Sequence, residues 1–218
     1  MDKNEICLRN ELIRVNHILV ECGLIRSSDG NISVRLNRNF LLITPSGEYK
    51  GAMSPEDLIV IDMDGNVDAA KAGLRPTSET LMHLEAYRQR PDINAVIHAH
   101  PPFSTALTIA GKPFPVEYIP EVLIALGDAP TAAYATPGTQ GLADSIHDLI
   151  LSHDCILLSH HGSLTVGRSL EKALIAVERM EYAAYTFWIS KAFGSPIPLP
   201  SAELENLRQI GNQLRGKH

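Results

Sequence analysis

The sequence lacks the features that mark nucleic-acid-binding, membrane-spanning and disulfide-bonded proteins. Its 19 basic residues form no cluster or stripe, and 25 acidic residues give a net charge of -6. No apolar stretch approaches the roughly 20 residues that a membrane span needs. The cysteines, Cys7, Cys22 and Cys155, are odd in number and far apart, which favours reduced thiols. We therefore expect a cytoplasmic protein that binds neither nucleic acid nor membrane.

The sequence also shows no sign of an internal linker or repeat. The stretch MDKNEICLRNELIRVN alternates charged with apolar residues, so we expect no signal peptide. No internal repeat, low-complexity segment or Pro/Gly-rich linker divides the 218 residues, of which 44% are hydrophobic. That length suffices for one sizeable core, and we predict a single domain spanning residues 1–218.

Hydrophobic periodicity predicts strands interleaved with helices. Helices are expected at residues 4–22, ending at Gly23, and at 169–191. Residues 31–36 and 40–44 predict a hairpin. Further strands are predicted at 58–65, 94–100 and 155–162, and further helices at 78–89, 102–110, 139–152 and 201–215. The interleaving indicates an α/β fold in which helices cover both faces of a sheet, and the hairpin indicates a mixed or mostly antiparallel sheet.

Histidines end two of the predicted buried strands. Side chains alternate along a strand, so His98 and His100 of "DINAVIHAHPP" project from one face and can offer two nitrogen ligands to a metal. Two hydrogen-bonded histidines at a strand edge explain the same pattern without a metal. His160 and His161 of "LLSHHG" come before a glycine, and a third imidazole would complete a catalytic Zn²⁺ site. Adjacent histidines on a strand face opposite ways, so only one of this pair can join, and the residues alone leave open which one.

The other histidines are expected at surface or helix positions, away from such a site. They are His17, His83, His147, His153 and His218. Other metal folds with a H-x-H pattern fit poorly. A cupin would need a glutamate soon after the second histidine, and a metallo-β-lactamase-like hydrolase would need H-x-H-x-D-H. The stretch "HAHPPFSTAL" has neither.

A carboxylate, Glu79, lies upstream at the start of the predicted helix in "LRPTSETLMHLEAYRQRP". There, Thr77 or Ser78 can cap the helix while Glu79 complements the helix dipole. The same carboxylate is also well placed to act as a general base beside a metal. The residues alone leave both interpretations open.

Three polar segments carry groups that bind anions without positive charge. Their backbone N–H groups, hydroxyls and amide can cradle a phosphate, although each segment is also ordinary turn chemistry. The segments contain Gly30 with Asn31, Ser46 with Gly47, and Thr77 with Ser78.

The ordered set GNISVR, ITPSG, RPTSE, AVIHAHPP and LLSHHGSLTVG resembles the class II aldolase/adducin head family, and within it the L-fuculose-1-phosphate aldolase type. The similarity runs from about residue 5 to 190. It implies a three-layer αβα domain with a mostly antiparallel sheet, and a fourfold-symmetric homotetramer with active sites between subunits. It also implies a bound zinc on His98, His100 and His161, the histidine directly before the glycine. By the same resemblance Glu79 is the acid/base residue, and the three polar segments are the phosphate-binding positions.

The implied activity is cleavage of a ketose 1-phosphate into dihydroxyacetone phosphate and an aldehyde. Glu79 favours an aldolase, because 4-epimerases of this family carry Asp in that slot. Decarboxylases and dehydratases acting on related phosphates share the zinc triad and stay open as alternatives, whereas adducin-like interaction modules have lost metal ligands. The chain departs from the aldolase pattern at Ile119, which occupies the slot of an aldehyde-protonating tyrosine, with Tyr118 one residue earlier. The C-terminal stretch also lacks a tyrosine, so the aldehyde half of the substrate can differ from L-lactaldehyde.

Overall fold

The computed structural model describes residues 3–67 and 73–216. The strands are β1 (Asn31–Arg35), β2 (Phe40–Ile43), β3 (Ile59–Asp62), β4 (Ala95–Ala99), β5 (Thr131–Ala132), β6 (Cys155–Leu158) and β7 (Gly162–Gly167). The helices are α1 (Lys3–Glu21), α2 (Thr80–Gln89), α3 (Pro102–Ile109), α4 (Pro120–Leu126), α5 (Gln140–Ile150), α6 (Leu170–Ser190) and α7 (Ser201–Arg215). Within the described ranges, no helix is long and apolar enough to cross a membrane.

The strands form one seven-stranded sheet in the order β3-β2-β1-β4-β7-β6-β5. Every pairing is antiparallel except that of β5 with β6. The prediction of an α/β fold with a mixed, mostly antiparallel sheet is therefore confirmed. Strand β4 lies at the centre of the sheet, with β1 and β7 as its neighbours.

Helices α2 and α5 cover one face of the sheet, and α1 and α6 cover the other. Alternation along β4 separates the two layers, because adjacent side chains on a strand point to opposite faces. Val96 belongs to the core cluster that contains Tyr87 of α2, whereas Ile97 belongs to the cluster that contains Leu12 of α1. A third cluster joins α3, α4 and α7 to α6. The side chain of His98, two residues after Val96, consequently faces the α2 layer.

Residues 155–162 do not form the single strand that the apolar run predicts. Strand β6 ends at Leu158, a tight turn follows, and the chain returns as β7, which pairs with both β6 and β4. His160 makes the reversal possible by adopting a left-handed backbone, with φ of 56°. Hydrophobic periodicity does not reveal the turn, because the apolar run continues through it, and β7 extends beyond residue 162 into a stretch where the sequence predicts no strand. Helix α4 likewise lies between the helices predicted at 102–110 and 139–152, where the sequence predicts no helix.

Candidate metal centre

The central strand β4 supplies two of the three clustered histidines. His98 is fully buried on the α2 side of the sheet, and its Nδ1–H donates to the carbonyl of Ser163 at 2.9 Å. This hydrogen bond leaves the Nε2 lone pair of His98 free to act as a ligand. His100 follows the end of β4, where its backbone N–H donates to the carbonyl of Leu24 at 2.9 Å. The Nε2 atoms of the two histidines face each other at 2.8 Å.

The turn between β6 and β7 supplies the third histidine, His161. Its ring centroid lies 4.6 Å from that of His98 and 5.0 Å from that of His100. His160 is exposed and its ring points toward Tyr134, with 6.3 Å between the centroids. The prediction that His160 and His161 lie on a strand and face opposite ways is wrong, because both residues lie in the turn. The turn nevertheless directs the two side chains away from each other. Within the described ranges, ligand atoms of His98, His100 and His161 lie within 4.8 Å of one another, so this cluster can hold a metal ion.

Glu79, the residue immediately before α2, completes the cluster. Its carboxylate is buried, with Oε2 at 3.0 Å from His98 Nε2 and Oε1 at 3.3 Å from His161 Nε2. Thr77 Oγ1 accepts a hydrogen bond from the Glu79 N–H at 3.3 Å, so Thr77 does serve the start of this helix. The Glu79 side chain, however, points at the imidazoles and not along the helix. Capping of the helix therefore belongs to Thr77, and the position beside the possible metal site belongs to Glu79.

The electrostatics of the cluster suit a divalent cation. Burial, with a smaller contribution from His161, lowers the pKa of His98 to about 3. Burial and the two neighbouring imidazoles lower the pKa of His100 to about 4. These rings are consequently neutral at pH 7, the form that binds metal. Glu79 Oε1 is buried and accepts no hydrogen bond from any described residue, which would be costly unless a cation faces it. A set of imidazole nitrogens and one carboxylate oxygen fits Zn²⁺.

Gly162 controls how closely β7 approaches the metal-binding histidines. A Cβ atom at this position would collide with the Ala99 carbonyl oxygen and lie 2.9 Å from His100 Cδ2. We expect Gly162→Ala to displace the His100 ring, weakening metal affinity by about 10-fold or more and stability by about 1–3 kcal/mol. Zinc titration and thermal unfolding would measure the two effects. Gly47→Ala is not a matched control because of its positive φ, whereas Gly141→Ala adds the same methyl group without a contact under 3.6 Å. Equal zinc affinity in Gly162→Ala and Gly141→Ala would contradict this role.

The three polar segments predicted to bind phosphate lie side by side. The Thr44 N–H donates to the Ile32 carbonyl at 3.0 Å, and the Thr77 N–H donates to the Thr44 carbonyl at 3.1 Å. These bonds bring Gly30 and Asn31 next to Ser46 and Gly47, and bring those next to Thr77 and Ser78. The side chains differ in availability. Ser46 and Ser78 are exposed, whereas the amide of Asn31 and the hydroxyl of Thr77 are buried and already hydrogen-bonded.

Sequence reasoning missed the role of His83. It lies on helix α2 as predicted, but it is fully buried and contacts the site through Asn31, with 2.6 Å between His83 Nε2 and Asn31 Oδ1. Four-residue spacing from Glu79 was the available signal, because such residues share one side of a helix. His147 is exposed and pairs with Glu85, away from the cluster. His218 lies outside the described residues.

Comparisons with known proteins agree with this geometry. The family model "Class II Aldolase and Adducin N-terminal domain" matches residues 10–188. The chain is 32% identical to 5-deoxy-D-ribulose 1-phosphate aldolase of Bacillus thuringiensis serovar kurstaki over 201 residues, 91% of this chain and 92% of that protein. It is 32% identical to L-fuculose phosphate aldolase of Escherichia coli O6:H1 over 203 residues, 93% of this chain and 92% of the other. A solved structure of L-fuculose 1-phosphate aldolase superposes with a TM-score of 0.83 at 35% identity, covering 93% of this chain and 94% of that one.

Proposed function

This chain belongs to the class II aldolase and adducin N-terminal domain family, and we propose that it cleaves a ketose 1-phosphate into dihydroxyacetone phosphate and an aldehyde. Its aldolase relatives identify it as an aldolase, which is a lyase. The observation that carries the proposal is the convergence of His98, His100 and His161 with the buried carboxylate of Glu79. A non-catalytic interaction module would have no use for that constellation.

We propose zinc as the metal and the three Nε2-facing histidines as its ligands. The support is the neutral state of His98 and His100, the fixed tautomer of His98, and Glu79 Oε1, which lies 3.3 Å from His161 Nε2 and accepts no hydrogen bond from a described residue. Zinc held there would act as a Lewis acid that polarises the ketose carbonyl and stabilises the charge left when the neighbouring carbon–carbon bond breaks. Burial of His98 on the central strand β4 keeps the orientation of this ligand fixed.

Glu79 is the proposed acid/base residue. When the C3–C4 bond breaks, the C4 hydroxyl loses its proton to solvent as C4 becomes the aldehyde, the electron pair of the bond remains on C3 of the dihydroxyacetone phosphate fragment, and C3 must gain a proton. The Glu79 carboxyl group contacts two of the three histidines, and its proposed role is to deliver that proton to C3 and to remove it in the reverse reaction. The hydrogen bond from Asn31 Nδ2 to Glu79 Oε2, 2.9 Å long, holds the carboxylate in place.

The phosphate group is proposed to bind where the three polar segments meet. The exposed Ser46 and Ser78 hydroxyls and the backbone around Gly30 and Gly47 are the available donors, and both glycines have positive φ, of 74° and 78°. The Asn31 amide is engaged by Glu79 and His83, so the proposed role of Asn31 there is through its backbone. The Thr77 N–H is bonded to the Thr44 carbonyl, so Thr77 would contribute the proton of its hydroxyl, which only accepts from the Glu79 N–H. A phosphate anchored there would orient the reacting carbons beside Glu79.

The apolar side chain of Ile119, in the slot that faces the aldehyde part of the substrate in the family aldolase, narrows the proposed substrate class. Ile119 stands in the slot where the family aldolase has a tyrosine, and a side chain without a hydroxyl favours a sugar whose far end is a methyl group or another apolar group. Relatives acting on 5-deoxy-D-ribulose 1-phosphate and on L-fuculose phosphate fit this class, because both sugars end in a methyl group.

The test is release of dihydroxyacetone phosphate by zinc-loaded protein. We expect cleavage of 5-deoxyribulose 1-phosphate or fuculose 1-phosphate, and none of the corresponding sugars without phosphate. Rhamnulose 1-phosphate serves as a stereochemical control. Release of CO₂ from a sugar-acid phosphate, loss of water without carbon–carbon cleavage, or 4-epimerisation, in a protein inert on all three ketose phosphates, would contradict the proposal in favour of the related reactions.

We also propose a cytoplasmic homotetramer. An exposed aromatic row on α6 supports association between chains. Tyr182, Tyr185 and Trp188 recur at three-residue spacing with exposed fractions of 64%, 41% and 60%. Light scattering should give four times the mass of one chain, and a monomer retaining full activity would contradict the assembly.

A further inference from the structure

A ladder of hydrogen bonds runs from the Glu79 carboxylate into the protein interior. Glu79, His83 and Tyr87 recur every four residues and so share one side of α2. They face Asn31 and Ser33, which share one side of β1. Asn31 Nδ2 donates to Glu79 Oε2 at 2.9 Å, and Asn31 Oδ1 lies 2.6 Å from His83 Nε2. His83 Nδ1 lies 2.6 Å from Ser33 Oγ, which lies 3.1 Å from the Tyr87 hydroxyl.

The carboxylate fixes the direction of every bond in this ladder. An ionised carboxylate only accepts, so Asn31 must turn its NH₂ group toward Glu79 and its oxygen toward His83. The Asn31 oxygen also only accepts, so His83 must carry its proton on Nε2. The Nδ1 atom of His83 is then an acceptor, and the Ser33 hydroxyl must donate to it. The Tyr87 hydroxyl can donate to Ser33 Oγ in turn.

His83 gives the Asn31 oxygen its hydrogen-bond donor in the orientation that Glu79 imposes. A flipped Asn31 amide would place its oxygen against the Glu79 carboxylate, which is repulsive, and its NH₂ group against His83 Nε2, so that His83 and Ser33 would have to move their own protons as well. Burial lowers the pKa of His83 to about 3, so the ring stays neutral. His83 and Ser33 are fully buried and Asn31 is 5% exposed, which limits competition from water.

We propose that His83 is a positioning residue that, through Asn31, holds the Glu79 carboxylate in the orientation needed for proton transfer to substrate carbon. This role rests on the proposed function, since Glu79 is the acid/base residue there. Among the described residues, the ring of His83 is hydrogen-bonded to Asn31 and Ser33 and not to the three clustered histidines. Partners one step removed from a site typically change activity by about 10–100-fold when they are lost.

Three variants at position 83 separate the hydrogen bond from the shape of the ring. His83→Phe keeps a ring but cannot donate to Asn31. His83→Gln can place an amide N–H close to the position of Nε2, and the shorter His83→Asn cannot. We expect kcat to fall by about 10–100-fold in His83→Phe and His83→Asn with zinc content and KM unchanged, and to be largely rescued in His83→Gln. If His83→Phe does not fold, His83→Asn carries the comparison.

A readout without activity comes from the side-chain amide of Asn31. In the wild-type protein its NMR signals, identified by their absence in Asn31→Ser, should show one slowly exchanging, hydrogen-bonded proton. That protection should disappear in His83→Phe and persist in His83→Gln. Leu84→Ala, on the same helix and fully buried, is the control for stability alone, and it should lower the melting temperature without changing the Asn31 signals or kcat.

Two results would overturn the inference. One is an unchanged kcat in folded, zinc-loaded His83→Phe and His83→Asn, and the other is an unchanged Asn31 amide signal in the same variants. Either result would leave His83 a structural residue that affects only the melting temperature. A wild-type protein inert on every ketose phosphate would instead refute the proposed function, and the Asn31 signals would still decide whether His83 positions Glu79 through Asn31.

Discussion

Replacing His98 with alanine is expected to remove zinc from the purified protein and to reduce aldol cleavage by about 10³-fold or more, because a metal Lewis acid supplies several kcal/mol of charge stabilisation. His98 lies at the centre of the sheet, and its Nδ1 hydrogen bond to the Ser163 carbonyl aims its Nε2 at the other ligands. The remaining two imidazoles would leave a cation under-coordinated. Elemental analysis after gel filtration would measure the zinc, and release of dihydroxyacetone phosphate would measure the rate.

His160→Ala is the matched control for His98→Ala. It removes an imidazole adjacent to His161, but the His160 ring is exposed and points toward Tyr134. We expect this variant to retain zinc and cleavage. Loss of zinc in His160→Ala would mean that the wrong histidine of the His160–His161 pair has been assigned, and retention of zinc in His98→Ala would exclude His98 as a ligand.

Replacing Glu79 with glutamine is expected to slow cleavage by about 10²–10⁴-fold, the range for loss of a general acid/base, while zinc binding is largely retained. Glutamine has nearly the same shape and can still accept the hydrogen bond from Asn31, but it cannot exchange a proton with the substrate. Steady-state kinetics with a ketose 1-phosphate and zinc analysis of the same preparation would separate the two effects. We expect KM to change less than kcat.

Glu85→Gln provides the same chemical change on the same helix. Glu85 pairs with the exposed His147, outside the metal cluster, so this variant should cleave substrate at the wild-type rate. Wild-type turnover by Glu79→Gln would remove Glu79 from the proposed chemistry. Loss of zinc from that variant would instead assign Glu79 mainly to metal binding.

The sequence predicts the outer framework of the site because the relevant signals are local. The period-two pattern of β4 places His98 and His100 on one side, and the apolar run before the second histidine pair marks another buried strand. The helices α1 and α6 likewise match their predicted ranges to within one or two residues. Each of these features depends only on residues close together in the chain.

The features that the sequence did not predict depend on contacts between distant segments. The reversal at His160 depends on a backbone angle that β-strand propensity does not encode. The burial of His83 depends on β1 lying directly beneath α2, which the helix pattern alone cannot specify. Asn31 was predicted to serve a phosphate, but its amide joins Glu79 to His83, because the strand that carries it pairs with β4 beside His98.

The central claim is that a metal held by these histidines makes carbon–carbon cleavage possible. The most direct test strips the purified protein with a chelator, measures release of dihydroxyacetone phosphate from fuculose 1-phosphate and 5-deoxyribulose 1-phosphate, and then adds zinc back. We expect cleavage of at least one substrate to disappear on stripping and to return with zinc in proportion to the metal bound. Cleavage at the full rate by protein shown to contain no metal would contradict the account.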